Sequence, residues 1–485
     1  MTPFPKLRSS RSDEAPHSVR PSPFEPRACA APCQRPHPRY VGILFYLCGI
    51  FVVLPFFDVP LIGLSVTAPM MLPIFYYAFF VRSKSWLHPY RGWFWVAGCI
   101  WAAMVMSFIA NGPWFEARDL QYLGFAYLIR YFYWLLVFAV TAWLASDFHV
   151  QRRLSGILAV AVVVLACLRC FEGFVFGKVG AWSDTIFTTQ NNYGILFSTF
   201  TPFLFPVFLG RGFLRKALFA IGLLVILYAC AINGSRGSWI CIALGLAVFC
   251  LLAFVSRPSA SLRLILPVGF AALALVAILA GSTRVREAVL SRFSTFENLE
   301  GDKSYMFRQV MNQRSLKLFA GSPVFGTGPG GYREVYVPLE MPAVLARHND
   351  ADFTRKSAHN SYLHFLAESG AIGALPLVLL IGILAVRGCW AAACLNRHGE
   401  HWALGIYVSF IGMSVHFWAM AGLTTTSPWF IYGLLVATIC LSSRLRKRKR
   451  ASVARAPLVQ RGLFFRARRP AVVGSPQPAI LTTDH

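Results

Sequence analysis

The chain has 485 residues, of which 56% are hydrophobic, 15% aromatic and only 14% charged, whereas soluble domains carry about a quarter charged residues. The apolar residues come in blocks rather than as a periodic stripe, which argues against a soluble globular protein. The net charge of +26 is not a nucleic-acid footprint, because no basic stripe is interleaved with exposed aromatics.

More than half of that charge lies in the two tails. The N-terminal tail to Arg39 holds seven Lys/Arg against Asp13, Glu14 and Glu25, and the C-terminal tail from Arg444 holds eleven against Asp484. Basic tails and basic short loops fit the positive-inside rule and attraction to anionic membrane lipids. Residues 1–39 are rich in Pro and Arg and show no apolar h-region followed by a small-residue cleavage site, so no cleavable signal is expected.

Apolar runs near or above ~18 residues match a bilayer core about 30 Å thick. Each is helical, since an isolated strand in lipid leaves backbone groups unpaired. Runs at 41–57, 61–81, 92–110, 123–145, 154–171, 193–210, 216–232, 238–255, 263–280, 371–389, 402–421 and 428–443 predict an all-α membrane protein of about twelve transmembrane helices. Its parts are a basic Pro-rich tail (1–40), spans one to nine (41–280), a loop domain (281–370), spans ten to twelve (371–443) and a polybasic tail (444–485).

The loops with Arg82/Lys84/Arg91, Arg152/Arg153, Arg211/Arg215/Lys216, Arg257/Arg263 and Arg387/Arg397 alternate with loops offering only Arg118, Lys178 and Arg236. The pattern places both termini in the cytoplasm and residues 281–370 outside. That segment reads as an ordered cap. A helix is predicted from Ser304 to Phe319, with Val310, Met311, Leu318 and Phe319 apolar and Arg308, Asn312 and Gln313 polar. Gly321 ends it, followed by a turn-rich stretch. A second helix is predicted from about Asn360 to Ser369, with Gly370 as its stop, and the stretch around Pro338–Lys356 is read as loop.

The long external segment contains none of the twelve cysteines, so no disulfide framework is implied. Cys29 and Cys33 lie in the Pro-rich tail. Cys167 and Cys170 form a CxxC inside an apolar run, where they read as small packing residues.

Arg130 lies about two turns below the external end of span four, where a charge costs several kcal/mol unless it is paired. It could snorkel to the interface or bond carbonyls. It could equally form an anion site, since Asp58, Glu116, Asp119 and Glu172 read as edge or loop residues and no carboxylate falls in the core of a span. Arg169, near the external end of span five, could join it or snorkel. The same lack of intramembrane carboxylates weighs against an ion-coupled transporter.

The turn Asn233-Gly-Ser-Arg236-Gly-Ser-Trp239 joins spans seven and eight. A guanidinium at a helix start is a plausible phosphate seat, and the alternative is an interfacial Arg anchoring a hairpin with Trp239. Gly326-Thr-Gly328-Pro-Gly330-Gly331 lacks the Lys-Ser/Thr of a P-loop and any βαβ context, so it reads as turn chemistry. His359 falls at the N-terminal edge of the helix predicted from Asn360, with Tyr362 one turn on. A neutral imidazole there could take a proton from a hydroxyl. His359 and His364 are five apart, which is not metal-ligand spacing on one helical face, and neither a metal nor a cofactor is expected.

Four features in order resemble the O-antigen ligase and O-antigen polymerase superfamily. They are Ser235-Arg236-Gly237 before a span, Arg308 in an amphipathic helix, Gly326–Tyr332, and His359-Asn360-Ser361-Tyr362-Leu363 followed by Glu368-Ser369-Gly370. The similarity covers about residues 230–390. It implies a metal-independent glycosyltransferase of the bacterial inner membrane, taking a glycan from undecaprenyl pyrophosphate at the outer leaflet. By position His359 resembles the general base, while Arg236 and Arg308 resemble the arginines that hold the donor pyrophosphate and stabilise the leaving group. Arg130, Arg169, Asn360 and Tyr362 are expected to contact substrate. The acceptor would be lipid A-core for a ligase or another carrier-linked unit for a polymerase. Transfer to a protein hydroxyl, or a polysaccharide or lipid-carrier transporter without chemistry, stand as alternatives.

Overall fold

The computed structural model describes residues 38–466 except 55–57, 60–63, 66, 82–87, 178–188, 211, 262–268, 270–271, 274–275, 278–279, 282, 295–298, 300, 340–341, 343–344, 346–355 and 357. The Cys29/Cys33 tail, most of span nine, much of the Pro338–Lys356 loop and the loop cations Arg82, Lys84, Lys178, Arg211 and Arg263 lie outside the described residues.

The described residues are almost wholly helical. The exception is a two-residue antiparallel pair, Asp58–Val59 with Leu64–Ser65. The bundle is built from α1 (Arg39–Val53), α2 (Thr67–Tyr76, continuing as a π turn to Val81), α3 (Arg91–Ala110), the short α4 (Gly112–Glu116), α5 (Gln121–Leu144), α6 (Phe148–Phe176), α7 (Gln190–Phe200), α8 (Phe205–Leu209), α9 (Phe213–Asn233) and α10 (Arg236–Ser256). After these come α11 (Thr283–Ser294), α12 (Lys303–Gly321), α13 (Ser361–Arg397), α14 (Trp402–His416) and α15 (Thr426–Arg466).

Among the described residues, eight helical segments are long and apolar enough to cross a membrane, and α1, α2 with its π turn, and α14 are shorter apolar helices. Together they correspond to eleven of the twelve expected runs. Two differ from expectation in length. Span five is a 29-residue helix, and the last span continues as one 41-residue helix through the polybasic tail to Arg466. The segment Gln190–Leu209 is α7 and α8 joined by a 3-10 turn at Thr201–Phe203, where Pro202 and Pro206 interrupt a continuous α-helix.

Local signals set the helix ends. Asp147 caps α6 by accepting from the His149 and Val150 amides at 2.7 and 3.3 Å, and Asn360 caps α13 through the Tyr362 and Leu363 amides at 3.0 and 3.1 Å. Close packing follows from small residues, as expected where lipid supplies no hydrophobic drive between helices. A Cβ on Gly433 would stand 2.7 Å from the Phe138 carbonyl, which brings α15 against α5.

The expected basic loops gather at one end of the bundle. Arg152 pairs with Glu400 at 2.8 Å, and Arg444 donates to the Ser146 carbonyl at 3.2 Å. The other end carries the Asn233–Arg236 turn, α11, α12, the glycine-rich stretch and the start of α13.

Residue Gly370 divides α13. Its φ of 59° and ψ of −164° break the helix between Ser369 and Ala371, where a helix stop was predicted. The break frees the Ala367 and Glu368 carbonyls and the Ala371 and Ile372 amides, which would otherwise bond one another. The chain from Pro323 to Gly328 enters that gap and satisfies all four. Thr327 and Gly328 donate to the Ala367 and Glu368 carbonyls at 2.9 and 3.0 Å, while Pro323 and Val324 accept from Ala371 and Ile372 at 2.9 and 3.4 Å. A Cβ at Gly370 would stand 2.2 Å from the Val324 carbonyl oxygen, so only glycine fits. The glycine-rich stretch is thus more than a surface turn: it is a buried plug that splices the loop region onto α13. Asn111 of the α3–α4 junction holds it from the other side, donating to the Gly326 carbonyl at 3.1 Å.

Candidate active site

Arg236 is the first residue of α10. The turn before it is held from below. Asn233 donates to the Gln190 carbonyl at 3.1 Å, Gly234 takes a left-handed φ of 66°, and Trp239 donates to the Cys230 carbonyl at 2.9 Å, tying α10 back to α9. Packing demands explain the flanking glycine: a Cβ on Gly237 would meet the His416 ring at 3.4 Å. His416 in turn is buried and bonded through Nδ1 to the Ser198 hydroxyl at 3.0 Å.

The guanidinium of Arg236 forms an ion pair with Asp302. The partner comes from the loop region, where Asp302 also caps α12 through the Ser304 amide at 2.9 Å. Burial alone would raise the Asp302 carboxyl, but the hydrogen bond and charge of Arg236, with two backbone amides, outweigh it and hold the group below its ordinary value.

Arg308 is half-buried on α12. Burial, then the charge of Arg236, lower its pKa, Arg292 adds to the effect, and Asp302 opposes it. Arg292, in the last turn of α11, is lowered in the same way by burial and Arg236. Three arginines therefore lie in one another's field, and among the described residues Asp302 is the carboxylate that acts on them.

His359 adjoins this cluster. It sits one residue ahead of the Asn360 cap, half-buried, with its ring edge-on to Phe307 at 5.2 Å between centroids. Burial, followed by the charges of Arg308 and Lys356, drives its pKa down to about 4, so the imidazole is neutral at ordinary pH. The structure thus brings Arg236, Arg308 and His359 together from three separate stretches of sequence, and adds Arg292, Asp302 and Lys356, which the sequence reading did not single out. Nothing local marked these three, because they matter only through contacts made across the fold.

The other expected substrate contacts are placed differently. Arg169 is fully buried. Its guanidinium reaches Asn233 Oδ1 at 3.3 Å, the Ile232 carbonyl at 3.2 Å and Glu172 at 3.5 Å. Glu172, read as an edge residue, is equally buried, and the pair braces the turn that presents Arg236. Arg169 is thus bonded on three sides within the fold, next to the turn that presents Arg236. Asn360 spends its side-chain oxygen on the helix cap, and Tyr362 donates to the Ser414 carbonyl at 2.7 Å. Arg130 lies over the Tyr127 ring at 5.0 Å, and Tyr127 abuts Gly330 of the plug, so it borders the plug on α5.

A second imidazole, His364, is weighed in the sequence only as a metal ligand. His364 stacks on Tyr332 with centroids 4.5 Å apart and lies 3.3 Å from Glu368, one turn on. Glu368 also accepts the Gly330 amide at 3.0 Å. The i, i+4 spacing of His364 and Glu368 was the available signal.

A multi-pass membrane protein with arginines and a neutral histidine at one end of its helical bundle is a membrane enzyme candidate for anionic, lipid-borne substrates. Residues 221–378 match the family described as O-Antigen ligase, so the chain carries a domain of the ligase- and polymerase-type membrane glycosyltransferases. The matched region is about a third of the chain and contains Arg236, Arg292, Asp302, Arg308 and His359. No curated protein matches the chain significantly.

Proposed function

We propose that the protein transfers a glycan from undecaprenyl pyrophosphate to an acceptor hydroxyl of lipid A-core at the periplasmic face of the bacterial inner membrane. The observation that carries this reading is the meeting of Arg236, Arg292 and Arg308 with the neutral imidazole of His359. As the bond from the sugar anomeric carbon to the diphosphate oxygen breaks, negative charge grows on the leaving diphosphate. Guanidiniums already oriented there stabilise it. The acceptor oxygen attacks the same carbon and His359 takes its proton.

The depressed basicity of His359 fits such a sequence. An imidazole with a pKa of about 4 is a weak base, and part of the depression comes from Arg308. A bound diphosphate cancels that positive field and raises the imidazole towards ambient pH, so the base gains strength only once the donor is seated.

The test is purified protein with a defined pyrophosphate-linked donor and candidate acceptors, products being sized on a gel. One discrete shift of the lipid A-core acceptor is expected. A ladder of donor-derived products would instead indicate polymerisation, and no transfer with any acceptor, alongside movement of the lipid carrier across vesicles, would indicate a transporter.

A further inference from the structure

At the opposite end of the bundle, α3, α13 and α15 enclose a cavity of about 900 Å³, within the range of ligand sites. Arg387 of α13 and Arg444 and Lys447 of α15 line it, and no Asp or Glu stands among its described lining residues. Its remaining wall is largely apolar, with Trp93, Val96, Ile383 and Ile439. The Arg387 guanidinium lies over the Trp93 ring at 5.5 Å, and Arg444 is steadied by the Ser146 carbonyl.

The position along the helices separates this cavity from the histidine–arginine site. On α13, Arg387 follows Ala371, the first residue past the break at Gly370, by 16 residues, about 24 Å at 1.5 Å per residue. On α3, Trp93 lies near the start, whereas Ser107, near the far end, donates to the Glu368 carbonyl at 2.9 Å. The cavity therefore opens in the leaflet opposite His359, and it does not depend on the glycosyl-transfer reading.

We propose that this cavity binds an anionic phospholipid, its phosphodiester held by Arg387, Arg444 and Lys447 and its acyl chains along Trp93, Ile383 and Ile439. Cationic pockets between transmembrane helices suit acidic head groups. A free phosphate ion would occupy a small part of the volume and leave the apolar wall uncovered. A zwitterionic head group would bring a second cation to a pocket already carrying three.

Native mass spectrometry of the full chain released from detergent, at matched concentrations of phosphatidylglycerol and phosphatidylcholine, reads the occupancy. The wild type is expected to retain phosphatidylglycerol selectively, and Arg387→Gln with Lys447→Gln to weaken retention about tenfold. Arg446→Gln with Arg448→Gln removes the same charge outside the cavity lining and should leave retention unchanged. Val96→Trp, which fills the cavity without altering charge, should weaken retention as well and serves if the double variant fails to fold. Equal loss in both double variants overturns the proposal, as does equal retention of phosphatidylcholine. Displacement of the lipid by inorganic phosphate at equal concentration overturns the choice of a lipid over a free anion.

Discussion

The guanidinium of Arg236, in the first turn of α10, is paired with the carboxylate of Asp302, 66 residues further on at the N-cap of α12. One carboxylate thus fixes both the start of the loop-region helix and the orientation of an arginine at the end of a membrane span.

That pairing makes Arg236→Lys informative. A lysine keeps the charge but lacks the planar fork that can hold a carboxylate and a phosphate together. Transfer is expected to fall by about 10²-fold in kcat, on the scale of losing one transition-state donor. Full activity in a steady-state assay would remove the anion-binding role given to Arg236.

For His359→Ala, glycan transfer should drop by about 10²- to 10⁴-fold while the protein keeps its membrane level and unfolding temperature. A protein that only moves lipid carriers would be little affected. The comparison needs transfer and carrier translocation measured on the same preparation.

The pH dependence follows from the same imidazole. Burial, with the charges of Arg308 and Lys356, pushes His359 down to about 4 in the folded chain, below its ordinary value of about 6.5. The profile of kcat/KM, which reports the free enzyme, should hold through pH 6.5 and fall only as pH approaches 4. The acid limb of kcat should lie higher, because a bound diphosphate offsets Arg308. Stability has a definite sign too: its contribution is complete above about pH 6.5 and is lost as pH falls towards 4, because the unfolded chain binds the proton first. His359→Gln should flatten that part of the unfolding curve. Coincident acid limbs in kcat and kcat/KM would contradict the coupling to donor charge.

Replacing Arg169 by Met removes a buried guanidinium bonded to Asn233, the Ile232 carbonyl and Glu172 and should destabilise the protein by about 3–5 kcal/mol. If Arg169 positions the Arg236 turn, the surviving folded fraction should lose kcat more than it gains in donor KM. A selective rise in KM at unchanged stability would restore the substrate-contact role.

Gly370→Ala should be among the most disruptive single changes in the chain. The added methyl meets the Val324 carbonyl of the inserted plug, and the left-handed backbone adds strain of about 1–3 kcal/mol. Loss of folded protein, scored by size-exclusion and thermal unfolding in detergent, is expected. Ala substituted at Gly382, where nothing lies within 4 Å of the added Cβ, should be tolerated.

Much of this architecture is written in short stretches of the chain. Runs of apolar residues such as those in α3, α5 and α10 commit to helices because lipid offers no partner to an exposed amide, and that requirement acts residue by residue. Asn360 as a cap and Gly370 as a stop are equally local, since each depends on backbone groups within a few positions. The chemistry-bearing types at Arg236, Arg308 and His359 were legible from their neighbours. Their being assembled was not. Whether Arg236 meets Asp302, whether Arg292 stands in the field of Arg308, whether Arg169 faces substrate or braces Asn233, and which segment fills the gap at Gly370 depend on pairings across tens to hundreds of residues. Such pairings are settled by competition among all the buried charges and unpaired amides at once, and only the folded chain resolves that competition.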